Sequence, residues 1–173
     1  MAAALRMAEL LEPLTTEAGR RFIRVQVGAD PLQTPAELLL PILLDPAFDR
    51  GEYVTPESPT TVPELARALA ELSVTVAQIV PFLVHTCTTD LAYGATRGPW
   101  SIKTAQTVLE CVVHTLGART RWWTIVAYPA WCWEHGDFST GFMSNPVTGH
   151  DFDRAVVGIG DNATVTLLAF ADS

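Results

Sequence analysis

Arg121-Trp122-Trp123-Thr124-Ile125-Val126-Ala127-Tyr128 is almost continuously β-branched or aromatic. A strand built from it is apolar on both faces and must be covered on both sides. Pro129 ends the run. Two further strand patterns, Ala155 to Ile159 and Thr164 to Phe170, flank Gly160-Asp161-Asn162, which has the turn chemistry of a hairpin. Earlier in the chain, Phe22, Arg24 and Gln26 alternate with Arg21, Ile23, Val25 and Val27. That period of two reads as a strand over 20–27 with one solvated face, available to join the same sheet.

The chain ahead of the sheet has helical spacing. Residues 3–12 place Leu5, Ala8 and Leu11 apart from Glu9 and Glu12. Seven of the twelve prolines fall between Pro31 and Pro63, which restricts that third to short pieces and loops. Thr34-Pro35-Ala36-Glu37 and Thr61-Val62-Pro63-Glu64 are capping boxes with an early proline, and each should open a helix. The second helix is expected to carry Leu65, Leu69 and Leu72 on its apolar side. A third helical pattern runs from Val76 through Cys87 to about Tyr93 with a kink at Pro81, and a fourth from about Ser101 to Leu116, stopped by Gly117. The expectation is one α+β domain over 1–173, with a mainly helical N-terminal two-thirds packed on a small antiparallel sheet of strands at about 121–128, 155–159 and 164–170.

Composition narrows the partners. Nineteen acidic against eleven basic residues give a net charge of −8, a field that repels phosphate backbones and anionic headgroups, so neither nucleic acid nor membrane is expected. No apolar run is long enough to span a bilayer. Glu9 and Glu12 interrupt the first apolar stretch, unlike a signal peptide. Cys87, Cys111 and Cys132 cannot all pair within one chain, which fits a reducing cytoplasm, where the Asn162-Ala163-Thr164 triplet would not be glycosylated. Lys103 is the sole lysine among the basic residues, a codon bias that points to a GC-rich, bacterial genome.

Chemistry concentrates between Pro129 and Asp153, a connection far longer than the usual loop. His135 and Asp137, with Glu134 beside them, and His150 and Asp151, followed by Asp153, set imidazoles next to carboxylates. That is the raw material of general acid–base catalysis or cation binding, although turn and capping roles account for the same residues. Cys132 with His135 as base is a candidate nucleophile. Trp122, Trp123, Tyr128, Trp131 and Trp133 are candidate walls of an aromatic ligand pocket, or simply cover for the sheet. Two Cys-x-x-His pairs, Cys111/His114 and Cys132/His135, would need to converge to hold zinc; that spacing is a weak signature, and the chain is read as carrying no metal and no cofactor. Phosphate-binding glycine loops, nucleophile elbows and His-Glu-x-x-His are absent. The reading that follows is a non-enzymatic interaction, assembly or immunity-type module that binds a protein partner or itself. The alternative is a small biosynthetic-type enzyme or small-molecule binder with its pocket around residues 122–153.

Overall fold

The computed structural model describes residues 2–140 and 142–173. Its centre is a five-stranded antiparallel sheet in the order β1-β7-β6-β3-β2. The strands are β1 (Ile23–Gly28), β2 (Ala70–Leu72), β3 (Arg121–Thr124), β6 (Phe152–Ile159) and β7 (Thr164–Ala171). The long pair β6 and β7 is joined through Gly160 to Ala163, whose Gly160 N donates to Ala163 O at 2.9 Å. Nearly every residue of both strands is buried, so the central hairpin needs a layer on each face.

Helices supply both layers. α3 (Pro35–Leu44) packs on β6 and β7, and Gln26 of β1 donates to Leu38 O at 3.3 Å on that face. The opposite face meets α5 (Val76–Thr88), which lies beside α6 (Ile102–Leu116), which in turn packs on α1 (Ala2–Leu11). The helix starts follow the sequence. Thr34 caps α3 in a complete capping box, Thr61 accepts from Glu64 N at the start of α4 (Val62–Ala68), and Ser101 accepts from Thr104 N to open α6. Gly117, at φ +106°, closes α6.

The expected α+β arrangement is present, and the 20–27 strand does join the sheet, against β7. Several boundaries differ for identifiable reasons. Residues 17–20 form a helical turn, α2 (Glu17–Arg20), and β1 begins only at Ile23. Gly19 there lies so close to Leu14 that an added Cβ would sit 2.0 Å from the Leu14 carbonyl oxygen. The strand expected over 121–128 breaks at Ile125. Thr124 Oγ1 donates to Ala155 O at 2.6 Å, and β4 (Val126–Ala127) then leaves the main sheet to pair with β5 (Met143–Ser144). Helix α5 stops at Thr88 rather than near Tyr93, because Asp90 Oδ1 accepts from Ala92 N and Tyr93 N and holds a turn. Helix α4 ends at Ala68, and Ala70–Leu72, expected to be helical, pairs with β3 as an edge strand. The long connection after Pro129 contains a helix, α7 (Ala130–His135).

Trp122 lies opposite Gly158 in the β3–β6 ladder, and a Cβ at Gly158 would come within 2.5 Å of the buried indole. Gly158→Ala is therefore expected to lower stability by about 1–3 kcal/mol, since neither ring nor strand has room to yield. Urea unfolding checks this; an unchanged midpoint would show that the indole does not rest on this glycine.

Candidate functional site

Strand alternation sends Asp153 and Arg154, neighbours in β6, to opposite faces of the sheet, so these two buried charges cannot pair with each other. Asp153 is satisfied locally. Its Oδ2 accepts from Val147 N (2.9 Å), Thr148 N (2.8 Å) and Thr148 Oγ1 (2.8 Å), and Oδ1 accepts from Ser144 Oγ (3.3 Å). Burial still raises its pKa, against the pull of these hydrogen bonds.

Arg154 is fully buried and forms no ion pair with a carboxylate among the described residues. Its guanidinium donates from one terminal nitrogen to His85 Nδ1 (2.9 Å) and Thr86 Oγ1 (3.2 Å), and from the other to Tyr128 Oη. Tyr128 Oη passes its own proton to Phe138 O at 2.9 Å. Phe82, Tyr128 and Phe142 surround the cation, with ring centroids 4.8, 5.3 and 5.7 Å from its central carbon. Negative π faces thus stand where a carboxylate would be expected. Nε has no hydrogen-bond partner. Burial lowers the Arg154 pKa to about 10, which leaves it charged at neutral pH.

This arrangement fixes the state of His85. A guanidinium has only donors, so Nδ1 must accept and the neutral ring carries its proton on Nε2. Burial and then the Arg154 charge depress the His85 pKa to about 4, with Asp137 acting weakly in the other direction. Nε2 has no protein partner among the described residues, and His85 lines a groove of about 590 Å3 between α5, α6 and the end of α7. The groove walls are apolar, formed by Val76, Val80, Pro81, Val84 and Ile102, with Gln106 and Glu110 as polar additions. Gly136, in left-handed conformation at φ +65°, ends α7 against the Pro81 ring and closes one end. A second depression of about 350 Å3 shares Val76, Val80 and Glu110 and continues along the helix pair to Gly117 and Ala118.

The residues singled out in the sequence occupy several different places. Tyr128 and Trp133 belong to an aromatic cluster with Phe82 and Phe138, centroids 4.9 to 6.1 Å apart, which packs around Arg154. Trp122 is buried on Gly158. Trp123, next in the strand, faces the other way under Arg121, and Trp131 is largely exposed on α7. The five rings therefore do not wall a common cavity. His150 and Asp151 tie down the last residues: His150 bonds Asp172 (2.9 Å) and Asp49 O (2.8 Å) and stacks on Phe170, while Asp151 accepts from Ser173 N and Oγ. Asp137 accepts from Ser139 N and Oγ in a turn, which lowers its pKa.

Cys132 is buried, and burial raises its thiol pKa, the reverse of an activated nucleophile. His135 ends α7 on the surface. Cys111 and His114 are exposed on α6, and among the described residues no three His, Cys, Asp or Glu side chains gather as a metal would require. Cys87 is buried with its thiol pushed up to about 12. The residues that organise the site, Arg154 and His85, each left a faint trace in the sequence. One is the basic member of an Asp-Arg pair at the head of an apolar strand, the other a lone imidazole in an apolar helix.

Because the folded His85 pKa lies below the ordinary value of 6.5, the unfolded chain takes up a proton between pH 6.5 and 4 that the folded chain refuses. Its contribution to stability is complete above that window and lost as pH falls through it. In Arg154→Met, which keeps much of the side-chain volume, the His85 pKa is expected to rise while staying below 6.5, because burial is the larger cause. Titration of the imidazole by NMR in both proteins checks this; equal values would remove the electrostatic link between the two residues.

No protein-family model matches the chain, and neither does any curated protein or solved structure; what it does has to be read from its own surface.

Proposed function

We propose that this protein is an interaction module that receives an amphipathic helix of a partner protein in the groove between α5 and α6. The observation that carries this reading is the groove itself, an apolar channel that follows the seam of two antiparallel helices and continues into the second depression. Val76 and Ile102, on its rim, are 57% and 56% exposed. Apolar surface gathered in a concave strip on a charged protein marks an interaction site, and a seam of this shape suits a third helix presenting apolar residues at i, i+3 or i+4 and i+7. The length of α6, 15 residues, sets the span at about 22 Å, or four turns of a partner helix.

Charge indicates which helix. Glu110 borders both depressions, and the protein as a whole carries −8, so basic residues flanking the apolar stripe are favoured in approach and on docking. The three cysteines are free, which suits a reducing cytoplasm. No helix among the described residues is long and apolar enough to cross a membrane.

A displayed library of amphipathic helical peptides tests the proposal. Wild-type protein is expected to enrich sequences with the apolar spacing above and flanking Lys or Arg. Val76→Glu and Ile102→Glu, both at exposed positions, should each weaken binding tenfold or more while leaving unfolding midpoints within about 0.5 kcal/mol of wild type. No enrichment, or equal binding by both variants, would sink the proposal. Selective uptake of small apolar compounds by the same groove would replace the helix with a small-molecule ligand.

A further inference from the structure

We infer that His85 is the polar anchor of the groove and fixes the direction of the docked helix, whose C-terminal turn lies at His85 with its free carbonyls on the Nε2 proton. This inference rests on the docking reading above and adds the orientation and the residue that sets it.

Three observations lead here. First, His85 presents a donor and nothing else: Arg154 occupies Nδ1, so the ring cannot switch tautomer without placing two donors face to face. Second, a buried cation with no carboxylate partner stands directly behind that donor, which favours partial negative charge in front of it. Third, other polar groups at or behind the groove are already engaged in hydrogen bonds. Thr86 and Thr88 spend their hydroxyl protons on Phe82 O and Val84 O of their own helix. Gln106 Nε2 donates to Glu110 Oε1 at 3.1 Å along α6, and Glu110, about two turns from Ile102, borders both depressions.

A helix offers matching chemistry at its ends. Its last four carbonyls have no partner within the helix, and its dipole places partial negative charge there and partial positive charge at the N-terminus. A helix with its C-terminal turn at the His85, Thr88 and Gly136 end supplies acceptors to the fixed donor, and its N-terminal half passes Glu110. The reverse orientation would bring free N–H groups against an N–H. Asp137, the other charged group acting on His85, then stands near the last turn of the bound helix, where a basic side chain suits both the carboxylate and the dipole.

The test uses the full chain, isotope-labelled, and a stapled 14-residue Leu/Lys amphipathic helix as probe, prepared with a nitroxide at one end or the other. Binding is expected to shift the His85 Nε2 resonance. The C-terminal nitroxide should broaden the amides of Thr88 and Gly136, and the N-terminal one those of Gly117 and Ala118. His85→Phe, which keeps a ring in place, should weaken the probe roughly three- to tenfold, the loss of one hydrogen bond. A probe that perturbs α5 and α6 with the opposite broadening pattern, or without change at His85, overturns the anchor and leaves the docking reading standing. A probe that perturbs neither helix overturns both.

Discussion

The central hairpin of β6 and β7 is the constraint on which the rest of the molecule depends. Eight residues of each strand pair in unbroken register, and nearly all are buried on both faces. Neither strand can be an edge or lie against water, so β1 and β3 must flank them and a helical layer must cover each side. Helices meet both demands: α3 closes one face, and on the other α1 packs on β1, α6 on α1 and α5 on α6, with α5 tied to β6 through Arg154. Prolines are accommodated rather than decisive for the length of the covering pieces: Pro41 and Pro81 lie inside α3 and α5, Pro63 sits in the first turn of α4, and α4 ends at Ala68, where the chain turns into β2.

Within this frame, two adjacent ionisable residues of β6 are buried by different physics. Asp153 meets four donors from the 144–148 segment and so fastens the chain after β5 to the sheet. Arg154 has aromatic faces, a hydroxyl, a phenol and an imidazole in place of a counter-ion. Burying a guanidinium without a carboxylate is costly, and π faces with three hydrogen-bond partners offset only part of that cost. The depressed pKa of Arg154 is the mark of what remains. The same contacts bind β6, α5 and the Tyr128 to Phe142 region to one point, so the residue that strains the core also ties three parts of the chain together.

The groove follows from how α5 and α6 meet. Their inner sides are consumed by the sheet and by each other, with Leu83, Cys87, Leu109, Val112 and Leu116 all buried. Val76 and Ile102 remain exposed along the outer seam, with Val80 and Val84 buried beneath it as the floor of the groove. His85 sits where this seam passes over Arg154. Through this ring the buried charge of Arg154 is felt in the groove, and a docked segment would meet the ring as a fixed hydrogen-bond donor.

The sequence by itself determined the local elements. The capping box at Thr34, the glycine stop at Gly117 and the Gly160-Asp161-Asn162 turn are chemistry between residues a few positions apart, and the structure bears each of them out; Thr61 caps its helix too, but only half of the box forms, because the Glu64 carboxylate accepts from the Thr61 hydroxyl. Elements whose conformation depends on distant partners were not legible. Ala70–Leu72 continues a helical pattern yet forms a strand because β3 offers an open edge, and Trp122 to Tyr128 divides between two sheets because Thr124 bonds across to β6. The site was hidden for the same reason. His85 and Arg154 are 69 residues apart, each unremarkable where it stands, and only the packing of α5 on β6 joins them. The aromatic and acidic segment from 129 to 153 stands out because its residues are close in sequence; tertiary structure spends most of them on packing and turns, and opens a groove of about 590 Å3 between two helices that periodicity alone identifies only as core.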